Sequence, residues 1–551
     1  MKKAQVDYSL YLVTDSTEAI LGSRNLADVV EQALRGGVTI VQYRDKTSDT
    51  ADLISTAKAL HARCKAHDIP LLINDRVDVA LAVDCEGVHL GQDDMSIASA
   101  RAILGPDKII GATVSSVDEA KVAVERGADY LGIGTLYATN TKKNTKDIIG
   151  INGVREILDY LGSQQDEASK GVKTVCIGGI NASNIQLITY LLSPPSTPYP
   201  LSGVAIVSAI IAAPDVLSST RTLKSLITAP PPFAPYSTSP GPSWRAEGVE
   251  EMRFLVDAIP RHITAVHSSH SLSHNMTNLV VQNFAANIAL ALGASPIMSN
   301  NGLEAADLAR LHGGLVINMG TATPDALHNH RLAIAAYNAA GGPIVLDPVG
   351  AGATSARREA LAFLLASGYF DVIKGNEREI SAVARASGFT VEDTSQQRGV
   401  DSGTALLTLA QKATTVSRLA RRLRNIILLT GPVDVISDGA HTYTVANGHA
   451  YLGLVTGTGC TLGTTLSAYL AAERQSGAGY ALFAAIAGLV HFEVAAEDAA
   501  RRVDVQGPGT FVPAFIDEVW KRGRDVVEGR AEWVGERVRV ECVRDVTEEG
   551  G

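Results

Sequence analysis

Three polar side chains near the start of the chain have types and a spacing that suit anion binding. Gln42, Arg44 and Lys46 alternate at the end of an apolar run, and alternate residues of a strand share one face. One amide and two cations on a face favour a site for a diphosphate and a polar ring. The same pattern occurs at a solvated strand end, so these residues alone do not decide the function.

The next two apolar runs end in carboxylates. Asn74 and Asp75 follow one run, and Asp93 and Asp94 follow the next. Asp75 and Asp94 are one strand–helix step apart, so we expect them to lie side by side. Carboxylate oxygens near two cations suit a Mg²⁺ ion that bridges a diphosphate. Isolated aspartate pairs are also common as surface caps, and only the combination favours a metal site.

Later loops of the same half carry further phosphate-type groups. Thr139, Thr141 and Lys142 supply hydroxyls and an ammonium group. The glycine pair at 178–179 and the pair Val207-Ser208 follow two further apolar runs, where backbone N–H groups can hold a second phosphate. Glycine pairs by themselves mostly indicate turns.

The second half has a glycine-rich segment at 456–461 (Thr-Gly-Thr-Gly-Cys-Thr) before a predicted helix. Free N–H groups and the positive end of the helix dipole favour an anion, such as a phosphoryl group in transfer. Cys460 lies in this segment, where a helix N-terminus can lower the pKa of a thiol. It is the candidate base of the second site, and a small packing residue is the alternative.

Other polar residues of the second half complete a candidate phosphoryl-transfer site. Asp347 and Glu379 are candidates for binding a metal ion and its water shell. Lys374 can reach the phosphates of ATP, and Thr430 follows an apolar run from which it can line a nucleotide site.

These groups require parallel strands that hold them at one edge, and the first half predicts such strands. Eight apolar runs alternate with helix-sized segments such as 26–35, 51–67 and 117–126, which favours a (β/α)8 TIM barrel with its chemistry at the carboxyl ends of the strands. The predicted strands are 8–14, 40–43, 71–73, 87–90, 109–112, 130–133, 172–177 and 203–206.

The second half predicts a doubly wound α/β sheet with helices on both faces. Strands are predicted at 314–318, 343–346, 372–373 and 426–429, and an edge hairpin at 442–445. Residues 391–424 are predicted to form a partly polar insertion, and the charged tail at 529–551 to be peripheral.

A proline-rich stretch at 229–243 separates the two halves, and proline fits neither a helix interior nor a central strand. We therefore predict domains at 1–228 and 251–528 joined by a linker at 229–250. The 551 residues exceed what one core usually holds, and the net charge of −10 argues against a general nucleic-acid binder. Five cysteines and an N-terminus without an apolar leader predict a cytoplasmic protein without a membrane partner.

The motifs of the first half together resemble those of thiamine-phosphate synthases, over about residues 7–225. That family joins an aminopyrimidine methyl diphosphate to a thiazole phosphate and releases diphosphate. The family often has serine where Thr113 stands, and proline where Thr135 and Ala138 stand. The resemblance implies that the pyrimidine diphosphate is bound by Gln42, Arg44, Lys46, Asn74, Thr113 and Lys142, Mg²⁺ by Asp75 and Asp94, and the thiazole phosphate by Thr139, Thr141, Gly179, Val207 and Ser208.

The second half resembles hydroxyethylthiazole kinases and their ribokinase-like fold, over about residues 254–525. The resemblance rests on Ala-Ser-Pro-Ile-Met at 294–298, Asp-Pro-Val-Gly at 347–350 and Gly-Thr-Gly-Cys at 457–460. The family often has arginine where Lys374 stands, and lysine keeps the charge but loses the bidentate geometry. The resemblance implies thiazole contacts from Asn275, Met298 and Gly457, ATP contacts from Lys374 and Thr430, metal contacts from Asp347 and Glu379, and catalysis by Cys460.

The order of the two halves resembles bifunctional fungal thiamine-biosynthetic enzymes, in which the synthase consumes the kinase's product. The implied partners are small-molecule substrates, Mg²⁺ and ATP. The resemblance also implies a trimer-based homo-oligomer, because kinases of this type are typically trimers. Two alternatives remain: a hydroxymethylpyrimidine-type kinase in the second half, or a sensor or scaffold with inactive sites. The retained metal and phosphate ligands argue against the latter.

Overall fold

The computed structural model divides the chain into two compact units, Met1–Pro231 and Pro232–Gly551. It describes residues 3–138, 148–194, 197, 199–234, 249–390, 407–477 and 480–544. The division lies inside the proline-rich stretch.

The first unit is a closed barrel of eight parallel strands in sequence order, which confirms the predicted TIM barrel. All eight predicted strands are present, with bounds that differ by at most a few residues. The strands are β1 Leu10–Val13, β2 Ile40–Tyr43, β3 Leu71–Asn74, β4 Gly87–Leu90, β5 Ile109–Val114, β6 Tyr130–Ile133, β7 Lys173–Ile177 and β8 Gly203–Ile206.

The helices of this unit cover the barrel, and their ends follow local capping chemistry. At the start of α2, the Asn25 side chain accepts from the N–H groups of Ala27 and Asp28, and Gly37 ends the helix at a φ of 106°. The helices are α1 Glu18–Leu21, α2 Leu26–Gly36, α3 Thr50–Ala66, α4 Val77–Val83, α5 Ile97–Leu104, α6 Val117–Glu125, α7 Gly150–Ser163, α8 Glu167–Gly171, α9 Ile185–Leu192, α10 Ser208–Ile211 and α11 Val216–Thr228.

The strands separate two apolar cores, because successive side chains point to opposite faces. The larger core lies between strands and helices, and the smaller one fills the barrel interior. Three tyrosines dominate the interior. The rings of Tyr8 and Tyr11 lie 5.1 and 5.8 Å from that of Tyr130.

The second unit contains one sheet of nine strands in the order β10-β9-β11-β12-β13-β14-β15-β16-β17. The strands from β10 to β14 pair in parallel, and those from β14 to β17 are antiparallel. The predicted α/β class is confirmed, with a mixed rather than purely parallel sheet. The strands are β9 Leu272–Met276, β10 Ser295–Ile297, β11 Gly314–Asn318, β12 Ile344–Asp347, β13 Val372–Asn376, β14 Ile426–Thr430, β15 Asp434–Ser437, β16 Thr442–Val445 and β17 Val540–Cys542.

Helices pack against this sheet, and α20 is buried along most of its length. No helix among the described residues is long and apolar enough to span a bilayer. The helices are α12 Val249–Ser269, α13 Gln282–Ala291, α14 Ala305–Ala309, α15 Pro324–Ala340, α16 Ser355–Ser367, α17 Glu377–Ala386, α18 Leu409–Leu423, α19 Thr458–Ser476, α20 Ala481–Arg501, α21 Pro508–Val527 and α22 Glu532–Arg537.

Three expectations about the second unit are wrong. The tail after residue 528 is not peripheral, because Trp533 and Val534 are buried in the core and β17 pairs with β16, so 442–445 is not an edge. The predicted insertion at 391–424 contains the regular helix α18, which opens with a capping box between Thr408 and Gln411. Residues 391–406 lie outside the described residues.

Parts of the predicted linker belong to the second unit, which begins at Pro232. The ring of Phe233 is buried and stacks on Tyr369 at a centroid distance of 5.0 Å. At the other end, α12 begins at Val249. The predicted bounds are therefore too wide, because an aromatic ring in a proline-rich stretch gains by packing on a neighbouring core.

Candidate functional site

The barrel places the first predicted group together at the carboxyl ends of β2 and β3. Gln42 Nε2 donates to Asn74 Oδ1 at 2.7 Å, and Lys46 forms an ion pair with Asp75. Arg44 Nη1 lies 3.9 Å from Asp15 Oδ2. The amide pair and the two cations thus lie at one rim, as the alternation of the sequence predicted.

Asp75 and Asp94 lie side by side at this rim. Asp75 follows β3 in the left-handed region at a φ of 62°, and Asp94 Oδ2 accepts from Gly91 N at 2.7 Å. Burial and a hydrogen bond with Asp75 raise the pKa of Asp94. Two neighbouring carboxylates repel each other when both are ionised, and a bound cation would relieve that repulsion.

Two parts of the predicted second phosphate site follow β7 and β8. Gly179 follows β7 at a φ of +66°, and a Cβ at this position would lie 2.8 Å from Tyr137 Cβ. Only glycine fits there, which brings the backbone close to the rim. Val207 and Ser208 follow β8 directly. Thr139, Thr141 and Lys142 lie outside the described residues.

A hydrogen-bonded network crosses the barrel interior below this rim, and sequence reasoning did not find it. Tyr11 Oη contacts both Gln42 Oε1 at 3.0 Å and Tyr130 Oη at 2.7 Å. His89 joins Tyr130 Oη through Nδ1 at 2.7 Å and Thr113 Oγ1 through Nε2 at 2.9 Å. The only sequence signal was the presence of polar residues at inward positions of strands.

In the second unit, the glycine-rich segment opens α19 as predicted. Gly457 caps the helix at a φ of +93°, and a Cβ there would lie 2.7 Å from Val281 Cγ2. Thr458 donates to the carbonyl of Leu452 at 2.6 Å. The first N–H groups of a helix have no partner within it, so this end can bind an anion.

A buried ion pair lies beside the start of α19. Lys374 Nζ is 2.8 Å from Asp347 Oδ1 and donates to the carbonyl of Gly459 at 2.9 Å. Burial alone would lower the pKa of Lys374, but Asp347 and neighbouring acids raise it above its usual value, so the ammonium form persists. The predicted ATP and metal residues therefore contact each other directly.

The carboxylates of this cluster differ in their remaining partners. Asp347 Oδ2 accepts from Asn318 Nδ2 at 2.7 Å. The oxygens of Glu379 accept from the N–H groups of Gly350 at 2.8 Å and Asn376 at 2.9 Å. Burial and Asp347 raise the pKa of Glu379 to about 7. Glu379 thus holds two backbone segments at the site in addition to its predicted metal role.

Cys460 belongs to the same cluster, but its environment differs from the sequence expectation. Burial and then Asp347 raise the pKa of Cys460 to about 12, so the expected lowering by the helix N-terminus is wrong. Asn278 Nδ2 lies 3.8 Å from the sulfur and 3.2 Å from Asn318 Oδ1. These two asparagines link Cys460 to Asp347, a connection that the sequence did not indicate.

The remaining predicted residues take separate positions. Asn275 is buried in β9 and donates to the carbonyl of Ser273, while its oxygen accepts from Thr464. Met298 follows β10 and is half-buried, and Thr430 ends β14 opposite Asn376. The described residues contain no group of three or more histidine, cysteine, aspartate or glutamate side chains placed to hold a metal ion.

Comparisons with known proteins match each unit to a family. Residues 10–210 match thiamine monophosphate synthase, and residues 263–523 match the hydroxyethylthiazole kinase family. The thiamine-phosphate synthase of Clostridium novyi is 39% identical over 221 residues, which is 40% of this chain and 99% of that protein.

Two yeast proteins match both units at once. The probable thiamine biosynthetic bifunctional enzyme of Schizosaccharomyces pombe is 39% identical over 545 residues, covering 98% of this chain and 99% of the relative. The thiamine biosynthetic bifunctional enzyme of Saccharomyces cerevisiae is 35% identical over 549 residues, covering 94% of this chain and 96% of the relative.

Proposed function

The chain belongs to the family of bifunctional thiamine biosynthetic enzymes, and we propose how its residues carry the two reactions. The barrel is a thiamine-phosphate synthase, and the second unit is a hydroxyethylthiazole kinase. The kinase transfers phosphate from ATP to 4-methyl-5-(2-hydroxyethyl)thiazole. The synthase joins that product to 4-amino-2-methyl-5-(diphosphooxymethyl)pyrimidine and forms thiamine phosphate and diphosphate.

The synthase assignment rests on one observation. An amide pair, two cations and two carboxylates converge at one rim of the barrel. Gln42 and Asn74 bind the pyrimidine, while Arg44 and Lys46 stabilise the charge that develops on the leaving diphosphate. The aminopyrimidine can stabilise a cation at its methylene carbon, so a dissociative displacement needs no protein nucleophile. Lys142, Thr139 and Thr141 complete the phosphate contacts in this proposal, together with Gly179, Val207 and Ser208.

The acidic residues of the rim fit Mg²⁺. Asp75 is close enough to Asp94 to raise the pKa of that carboxyl group, and Asp75 already contacts a cation, Lys46. Mg²⁺ is commonly bound by one or two carboxylates together with water and substrate phosphates, so a third protein ligand is not required. When bound, the ion would neutralise diphosphate charge.

The cluster around Asp347, Lys374 and Cys460 supports the kinase role. Lys374 stabilises charge on the transferring phosphate, and the N–H groups after Gly457 bind it at the start of α19. Cys460 lies beside the expected path of the substrate hydroxyl, with Asn275 and Met298 near the thiazole and Thr430 near ATP. Asp347 and Glu379 offer carboxylate oxygens that fit Mg²⁺ bound to ATP.

The match of residues 263–523 to the hydroxyethylthiazole kinase family favours the thiazole over a hydroxymethylpyrimidine as the alcohol. We also propose a trimer-based homo-oligomer. Leu279 and Val280 are mostly exposed beside Val281, which contacts Gly457, and such apolar exposure suits a subunit contact. Light scattering would test this: a mass equal to one 57.9 kDa chain refutes it.

The function is tested by incubating the full chain with hydroxyethylthiazole, ATP, the pyrimidine diphosphate and Mg²⁺. We expect thiamine phosphate, which should also form without ATP when thiazole phosphate replaces the alcohol. A parallel reaction with hydroxymethylpyrimidine and ATP tests the alternative kinase substrate. Formation of no thiamine phosphate from either starting mixture refutes the synthase assignment, and faster phosphorylation of the pyrimidine alcohol refutes the thiazole assignment.

A further inference from the structure

The network in the barrel interior is a continuous chain of six side chains. It starts at Asn74 on β3 and passes through Gln42 on β2, then through Tyr11 on β1. From Tyr11 it crosses the barrel to Tyr130 on β6. It ends through His89 on β4 at Thr113 on β5. Both ends, and Gln42, are residues proposed to bind the pyrimidine, whereas Tyr11, Tyr130 and His89 have no assigned role.

Every hydrogen in this chain is determined by its neighbour. The single hydroxyl hydrogen of Tyr11 is donated to Gln42 Oε1. Tyr130 must therefore donate to Tyr11, since each phenol has only one hydrogen. Tyr130 can then only accept from His89, which fixes the hydrogen of the ring on Nδ1.

The hydrogen positions at the two ends of the chain, Thr113 and Asn74, follow in the same way. With its hydrogen on Nδ1, a neutral His89 ring accepts at Nε2, so the Thr113 hydroxyl donates to it and presents only lone pairs elsewhere. At the other end, Asn74 Oδ1 accepts from Gln42 Nε2, so the Asn74 NH₂ group remains to donate. All five hydrogen bonds point in one direction, from Thr113 to Asn74.

Burial disfavours a chain in which one hydrogen bond points in the opposite direction to the others. Tyr11, Tyr130 and Gln42 are all buried, so one reversed member would leave two donors or two acceptors facing each other without water. Burial also raises the pKa of Tyr11 and of Tyr130 far above the usual value, which keeps both hydrogens on the chain. The chain can therefore reverse only as a whole.

We propose that Tyr11, Tyr130 and His89 are positioning residues that fix the hydrogen-bonding polarity of Asn74 as a donor and Thr113 as an acceptor, and so select an aminopyrimidine. The proposal rests on the proposed synthase function. An aminopyrimidine offers ring nitrogens that accept and an amino group that donates. The corresponding 4-oxopyrimidine offers a ring N–H and a carbonyl oxygen, so its polarity is the opposite.

The test compares the 4-amino and 4-oxo forms of the pyrimidine diphosphate as synthase substrates, in the full chain with thiazole phosphate and Mg²⁺. The measured quantity is the ratio of the two kcat/KM values. In the wild type this ratio should favour the amino form. A preference for the oxo form would overturn the assigned direction of the chain.

Tyr130→Phe removes the central hydroxyl and keeps the ring. It frees Gln42 and His89 to rotate independently, so the amino-to-oxo ratio should fall at least about fivefold, the size of one buried hydrogen bond. Loss of packing alone would lower kcat/KM for both substrates equally and leave the ratio unchanged, and that result overturns the proposal. Tyr11→Phe breaks the chain at a second point and should reproduce the fall, which covers the case that Tyr130→Phe does not fold.

Tyr8→Phe is the matched control. Tyr8 is buried in the same interior core, and its ring contacts Tyr130, but it is not a member of the chain. It should leave the ratio at the wild-type value, and a fall equal to that of Tyr130→Phe would overturn the proposal. The kinase reaction of the same polypeptide should be unchanged in all three variants. A wild type that makes no thiamine phosphate would instead refute the synthase assignment itself.

Discussion

The buried ion pair between Lys374 and Asp347 allows a prediction that separates stability from catalysis. Lys374 is 3% exposed and Asp347 is 1% exposed. Lys374→Met keeps most of the side-chain volume but leaves the buried Asp347 carboxylate without its cation, while the hydrogen bond from Asn318 remains. Removing one member of a buried pair typically costs about 3–5 kcal/mol. At about 2–4 °C per kcal/mol, the melting temperature of the second unit should fall by about 6–20 °C.

A second buried pair provides a matched control. Lys412 is 7% exposed and lies 3.0 Å from Glu377, which is 6% exposed. Lys412→Met should therefore destabilise the second unit by a similar amount. It does not touch the cluster of Asp347, Lys374 and Cys460, so kinase kcat at 25 °C should stay within about threefold of the wild type, provided that the unit remains folded, which a stability of about 5–15 kcal/mol allows.

The two variants should differ in activity. Lys374→Met should lower kinase kcat by at least about a hundredfold, as is typical for loss of one group that stabilises transition-state charge. The assay measures hydroxyethylthiazole phosphorylation at saturating ATP, calorimetry measures unfolding, and the synthase reaction serves as an internal standard. Equal activity losses in both variants would attribute the effect to folding. A destabilised Lys374→Met variant with normal kcat would show that the lysine is only structural.

Four further outcomes are expected. Asp75→Asn with Asp94→Asn should abolish thiamine phosphate formation while the kinase continues; normal synthase turnover would refute the metal assignment. Cys460→Ala should slow thiazole phosphorylation by about 10²–10⁴, as is typical for loss of a general base, whereas an unchanged kcat would make it a packing residue. Cleavage within 235–248 should give two separately active pieces, and an insoluble first piece would contradict this. Burial lowers the pKa of His491 to about 4, so the unfolded chain binds the additional proton, and urea unfolding should show stability lost as pH falls from about 6.5 towards 4; a stability that is constant over that range would contradict this.

The barrel was predictable because its signals are local. Each strand is a short apolar run followed at once by polar residues, and the bounds of β2, β4, β6 and β8 agree with those predicted. Alternation along one strand also predicted that Gln42 and Lys46 share the rim. Neither feature requires knowledge of distant contacts.

The missed features depend on contacts between residues far apart in the chain. Nothing near Tyr443 in the sequence indicates that β17, almost a hundred residues later, pairs with β16. The effect of a helix N-terminus on Cys460 could be anticipated, but burial beside Asp347 has the opposite sign and prevails. Likewise, Tyr11 and Tyr130 each resemble ordinary core residues until the barrel closes and joins their hydroxyls.

The pairing of β17 with β16 also bears on how the protein tolerates changes near its C-terminus. An uncovered strand offers a row of free N–H and C=O groups that can pair with another molecule. Residues 540–542 cover that row on β16, whose Val445 and Tyr443 are buried. A chain shortened to residue 539 should therefore self-associate through β16, even though it retains the residues of both proposed sites.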